Sequence, residues 1–165
     1  MTNRFETAQI CKNGHIITDS VQSSPSNQNF CDNCGESLVT NCIHCDAPIK
    51  GKEWISDFFA GSRPISLPNA NPFCYNCGKS YPWTEATVTA AKDLALVLEE
   101  YSEDERDMLT QSIDELIIES PKTKVEAVKF SRLMKKGGRS IAEGFGEILI
   151  DIISETAKKI IWPSS

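Results

Sequence analysis

Seven cysteines and one of the two histidines stand at spacings suited to gripping metal ions. The cysteines are Cys11, Cys31, Cys34, Cys42, Cys45, Cys74 and Cys77. Six of them form the pairs CDNC, CIHC and CYNC, and the seventh opens the string CKNGH, four residues before His15. Two sulfurs separated by two residues can bite one ion from a tight turn, whose backbone N–H groups then point at the thiolates. An odd count of cysteines, with no apolar leader in MTNRFETAQICK, argues against a disulfide framework. A redox dithiol is disfavoured as well, because no βαβ pattern surrounds any pair. Seven thiolates and one imidazole fill two tetrahedral zinc shells with no donor left over.

The expected ligands are therefore Cys11, His15, Cys31, Cys34, Cys42, Cys45, Cys74 and Cys77, holding two structural zinc ions. His44, inside CIHC, is a rival ligand. Its turn already supplies two sulfurs, so it is expected to face solvent. Gly35 and Gly78 follow their second cysteines, where the turn tends to need positive φ, and Asp46 holds the equivalent place after Cys45. Two pairings remain open. A sequential one joins Cys11, His15, Cys31 and Cys34, then Cys42, Cys45, Cys74 and Cys77. A cross-brace would link the first turn to the third and the second to the fourth. Sequential pairing is favoured because it needs only local hairpins and short loop closures.

The string FCDNCGESLVTNCIHC followed by FCYNCG is similar to a tandem, or double, zinc ribbon. With CKNGHIITDS, CIHCDAPIKG and FCYNCGKSYPW it resembles a family of uncharacterised bacterial proteins, a domain of unknown function that joins such a ribbon to a helical tail. The resemblance covers residues 8–83 and reaches the tail only loosely. It implies the eight zinc ligands above and no activity. The Cys-x3-His of the first turn departs from the plain ribbon.

The elements that must hold these residues change character near Pro82. Residues 1–83 hold every cysteine and histidine and six of the eight prolines. The expected fold is a small metal-stabilised β unit, the tandem zinc ribbon, over 1–82, then an all-α region of about four helices over 83–165, α+β overall. Thr84 is the expected N-cap of the first helix. SEDE at 102–105 fits a capping box from Ser102 to Glu105. Ser120-Pro121 opens a third helix that Gly137-Gly138 ends. A single fourth helix is expected from about Ser140 to Trp162, with Ile141, Phe145, Ile148, Ile152 and Ile153 on its apolar face.

Charge is uneven. Over 85–119 two basic side chains face eleven acids, whereas 120–139 carries seven basic side chains against Glu126 alone. Acidic and basic helices side by side would explain this. The sharper alternative is a basic helix that meets an anionic partner. The first 83 residues hold six basic and seven acidic side chains. Two thiolate-rich zinc sites make that half more acidic still, the wrong sign for phosphate.

No P-loop, strand-bound GxGxxG or HExxH occurs. The function expected is a non-enzymatic zinc-binding adaptor or scaffold, acting through a protein partner or as a homo-oligomer. The alternative is a nucleic-acid-binding ribbon that uses residues 120–139, Lys135 and Lys136 among them. Partner surfaces are also expected at Trp54, Phe58 and Phe59, in what reads as a long loop between Cys45 and Cys74. Those rings could instead pack over the second zinc site or against the helices. The apolar C-terminal helix, with Ile148 and Ile152, is a third candidate surface. No apolar run approaches the ~20 residues of a membrane span, which points to a cytoplasmic protein.

Overall fold

The computed structural model describes residues 4–57 and 61–163 of the chain. It divides into two compact units, Met1–Glu85 and Ala86–Ser165, with the boundary inside the first helix.

Unit one is built of two small antiparallel sheets. The strands are β1 (Arg4–Thr7), β2 (Gln9–Cys11), β3 (Ile16–Thr18), β4 (Leu38–Val39), β5 (Lys50–Asp57) and β6 (Gly61–Ile65). One sheet has the order β1-β5-β6 and the other β3-β2-β4. β1 and β2 are almost continuous, so one stretch of chain serves both sheets. At the junction, Ala8 N–H donates to the Ile49 carbonyl at 2.9 Å and Lys52 N–H to the Asp19 carbonyl at 2.7 Å. Only glycine fits at 51, because a Cβ there would lie 2.0 Å from the Asp19 carbonyl oxygen. The apolar core beneath is small: Ala8, Ile10, Ile49, Tyr81 and Trp83, together with Cys42 and Cys74. Tyr81 and Trp83 stack with ring centroids 4.5 Å apart.

The expected long loop after Cys45 is instead largely a β-hairpin. β5 pairs with β1 on one side and β6 on the other, and Trp54 lies opposite Arg4 and Pro64. An aromatic and β-branched run, Trp54-Ile55, suits a strand that packs between two neighbours.

The helices are α1 (Pro82–Val97), α2 (Glu103–Leu116), α3 (Thr123–Gly137), α4 (Arg139–Leu149) and α5 (Glu155–Ile161). Thr84 does not cap α1. The helix starts at Pro82, whose missing N–H is no loss in the first turn, and the buried Thr84 hydroxyl donates to the Pro72 carbonyl at 2.8 Å. The box on α2 forms as expected, with Ser102 and Glu105 each accepting from the other's backbone N–H. Gly138, at φ 94°, closes α3.

The single C-terminal helix does not form. The chain breaks after Leu149, and Ser154 starts α5 by accepting from Ala157 N–H. Ser154's own N–H donates to the Leu116 carbonyl at the end of α2, which uses a C-terminal carbonyl that the helix itself leaves open. The break turns both parts inward. Leu109, Ile113, Leu116, Phe130, Phe145, Leu149, Ile152, Ile153 and Ile161 share one core. Phe130 and Phe145 meet edge to face at 5.3 Å. Trp162 folds back to donate to the Ala142 carbonyl, its ring passing 3.5 Å from where a Cβ on Gly146 would stand.

Candidate metal centres

Each knuckle is a tight turn closed by its own backbone. In the three Cys-x2-Cys turns, the residue after the second cysteine donates its N–H to the first cysteine's carbonyl. These bonds run from Gly35 to Cys31 at 2.7 Å, from Asp46 to Cys42 at 2.9 Å and from Gly78 to Cys74 at 2.9 Å. The three donors sit at φ 73°, 60° and 73°, the left-handed region expected from their types. Asp46 is the one described non-glycine residue at positive φ. The first turn closes one residue earlier, through Gly14, at φ 91°, whose N–H donates to the Cys11 carbonyl three residues back.

Eight side chains gather in two groups of four: Cys11, His15, Cys31 and Cys34, then Cys42, Cys45, Cys74 and Cys77. Neighbouring turns in sequence share a group, so the chain takes the sequential pairing and not the cross-brace. His44 lies in neither group and is exposed.

The distances test whether a metal fits. A tetrahedral ion with metal–sulfur bonds of ~2.3 Å requires sulfurs roughly 3.8 Å apart. The observed separations are 3.8 Å for Cys42–Cys77, 3.7 Å for Cys45–Cys74 and 3.8 Å for Cys11–Cys34. Replacing one sulfur by a nitrogen at ~2.0–2.1 Å shortens the edge to about 3.5 Å. His15 Nδ1 stands 3.4 Å from the Cys11 sulfur and 3.5 Å from that of Cys31. Both groups therefore have the dimensions of a filled tetrahedral site, and the first would bind through Nδ1.

Nearby donors draw the Cys34, Cys45 and Cys74 thiols down, while burial and neighbouring sulfurs push Cys11 and Cys77 up. Backbone N–H of Glu36 draws the Cys34 thiol down to about 7. Burial pushes Cys74 up, but the N–H groups of Cys77 and Asn76, together with the Cys45 and Cys42 thiols, draw it down to about 6. Against the N–H of Lys79, burial and the sulfurs of Cys45, Cys74 and Cys42 push Cys77 up to about 11. The Asn76 amide, 3.5 Å from the Cys45 sulfur, is the largest influence lowering that thiol. Asn76 escaped the sequence reading, although a polar residue inside CYNC was the available signal. Tyr75, its neighbour, packs edge-on to Phe5 at 5.3 Å, and Lys50 Nζ lies 4.7 Å above the Tyr75 ring. This pins the last knuckle to β1 and β5.

The other expected residues fall as follows. Trp54 is half-buried and donates from Nε1 to Glu6 at 2.8 Å. Glu6 also accepts from Ser20 and Ser23, and these donors hold its carboxyl at about 2. Phe58 and Phe59 lie outside the described residues. Lys136 pairs with Glu105 at 2.6 Å, whereas Lys135 is exposed. Ile148 is half-buried against the helical core and Ile152 lies inside it.

The chain belongs to the family described as "Uncharacterized protein conserved in bacteria (DUF2321)", which it matches over residues 4–161. No curated protein and no solved structure matches it. No helix among the described residues is long and apolar enough to cross a membrane.

Proposed function

Starting from a chain of this bacterial family with two closed four-donor centres, we propose a non-enzymatic, cytoplasmic adaptor in which two zinc ions are structural. The observation that carries the reading is closure. Each group offers four protein donors at tetrahedral edge lengths, so no position is left for water or substrate. An ion held this way organises the chain rather than activating a nucleophile. Three sulfurs and an imidazole at one centre, and four sulfurs at the other, are both donor sets of tetrahedral structural zinc. The small apolar core of unit one explains the need, since a β unit of this size lacks the apolar mass to order itself. What remains for such a scaffold is recognition, by knuckle surfaces and by the outer faces of the helices.

The nucleic-acid alternative is weaker. Its best feature, the basic α3, packs beside the acidic α2 with Lys136 tied to Glu105. Cobalt substitution tests closure: both sites should give tetrahedral spectra that added azide leaves unchanged. A spectral shift with azide would reveal an open coordination position and overturn the structural role. Photo-crosslinking in bacteria should then attach the chain to protein. Crosslinks to nucleic acid alone would overturn the adaptor.

A further inference from the structure

The helices α2 and α3 form an antiparallel pair whose solvent side is electrically divided. On α2, Asp104, Met108, Gln111 and Glu115 follow one another at spacings of four, three and four residues. On α3 and its N-cap, Lys122, Val125, Lys129, Arg132 and Lys136 follow at three, four, three and four. These are the spacings of a helix seam that faces another helix. Yet every member of these two stripes is exposed or half-exposed, with Val125 at 56% and Met108 at 43%. A groove of about 390 Å³ runs between the stripes, floored by Met108, Gln111 and Val125. The α2 wall carries Glu115, and the α3 wall carries Lys122 and Lys129 with Glu126 between them. Among the described ion pairs, Lys129 meets Glu126 and Lys136 meets Glu105, while Asp104, Glu115, Lys122 and Arg132 have none.

We propose that this face binds a second copy of the same chain, α2 of each copy lying against α3 of the other. The reading rests on the adaptor role proposed above and names its partner. A two-fold axis along the groove superposes the acidic stripe of one copy on the basic stripe of the other. A polyanion fits this face poorly: packed helices stand ~8–10 Å apart, so phosphates on α3 would feel the acids of α2 within about one Debye length.

The levels agree as well. Glu105–Lys136 at one end and Ser112–Glu126 further along set which residues stand side by side. Rotation then brings Asp104 level with Lys136 of the second copy, about one turn past its Arg132, and Glu115 level with Lys122 of the second copy, with Met108 and Val125 between these levels. Helices of about 14 residues, ~21 Å long, bury an area in the small, transient class. Association is accordingly weak and salt-sensitive. The C-terminal apolar stripe takes no part, because its central residues are already in the core.

Sedimentation of the metal-loaded full chain tests this. A concentration-dependent dimer is expected in about 50 mM salt, weakened at least tenfold in about 500 mM. The doubles Lys122→Glu/Arg132→Glu and Asp104→Lys/Glu115→Lys should each be monomeric while keeping both metal ions and the parent's helical signal. Mixed together, they should recover a heterodimer, since one then carries two acidic stripes and the other two basic ones. A parent that stays monomeric at about 100 µM in low salt, or doubles that dimerise like the parent, would overturn the proposal. So would a short DNA duplex that binds the parent and is released by the α3 double. A monomer that still crosslinks to another protein in bacteria refutes only the second copy and leaves the adaptor standing.

Discussion

Replacing Asn76 with alanine should loosen one metal centre and spare the other. The Asn76 side-chain amide donates to the Cys45 sulfur at 3.5 Å, and its backbone N–H approaches the Cys74 sulfur at 3.4 Å. Alanine removes the first contact and keeps the second. Outer donors of this kind are worth about 10–100-fold in metal affinity. One long contact from an exposed residue belongs at the lower end, so the expected loss is about tenfold, or ~1.4 kcal/mol. It is far below the ~10–16 kcal/mol that binding the whole ion supplies, so the ribbon should stay folded. The sign with pH follows from the thiol. The amide lowers Cys45 from its ordinary value; without it the proton competes better, and acid should release the second ion at a higher pH than in the parent. Competition with a chromophoric chelator on cobalt-loaded chain reads both effects, because a site of four sulfurs and a site of three sulfurs and a nitrogen differ in spectrum. Asn76→Asp, which cannot donate, should be at least as weak as Asn76→Ala. Equal affinity in variant and parent, or an equal loss at both sites, would refute the reasoning.

Gly137→Ala should destabilise the helical unit by about 1–2 kcal/mol in a denaturant melt: the new Cβ would stand 2.0 Å from the Tyr101 hydroxyl oxygen, and overpacking of ~1–3 kcal/mol exceeds the helix-propensity gain of up to ~1. In a Tyr101→Phe background the penalty should shrink. Ser102→Ala should cost about 1 kcal/mol through the lost cap on α2, read from the same melt. Lys136, together with the Ser102 N–H, holds the Glu105 carboxyl below its ordinary value of 4.5. Its contribution is therefore present above that value and fades as pH falls through the lowered one, so Glu105→Gln should melt below the parent at pH 7 and converge with it in acid, by helical circular dichroism. Gly51→Ala should unfold or displace the β1–β5 junction, seen as lost amide protection at Ala8 and Lys52, since the clash is with backbone on both sides.

Local chemistry was legible from residue order alone. Positive φ at Gly35, Asp46 and Gly78, the box from Ser102 to Glu105 and the stop at Gly138 each depend on contacts within about five residues, and side-chain type decides such contacts directly. The candidate donors belong to the same class, because a Cys-x2-Cys turn carries its geometry with it. Contacts between distant segments were not legible. Trp54 became a strand residue because β1 and β6 lie on either side of it, and Thr84 gave its hydroxyl to Pro72 instead of to its helix. The helix expected over 140–162 broke because Ser154 N–H could reach the Leu116 carbonyl and turn Ile152 and Ile153 into the core. Periodicity records which side of a segment is apolar. It holds no record of which distant carbonyl waits for a donor, or that an acidic stripe and a basic one share a solvent face. The sequential pairing stands between the two: short loop closures favoured it over the cross-brace, but both satisfy the same eight donors, and the folded positions of the knuckles bear the favoured one out.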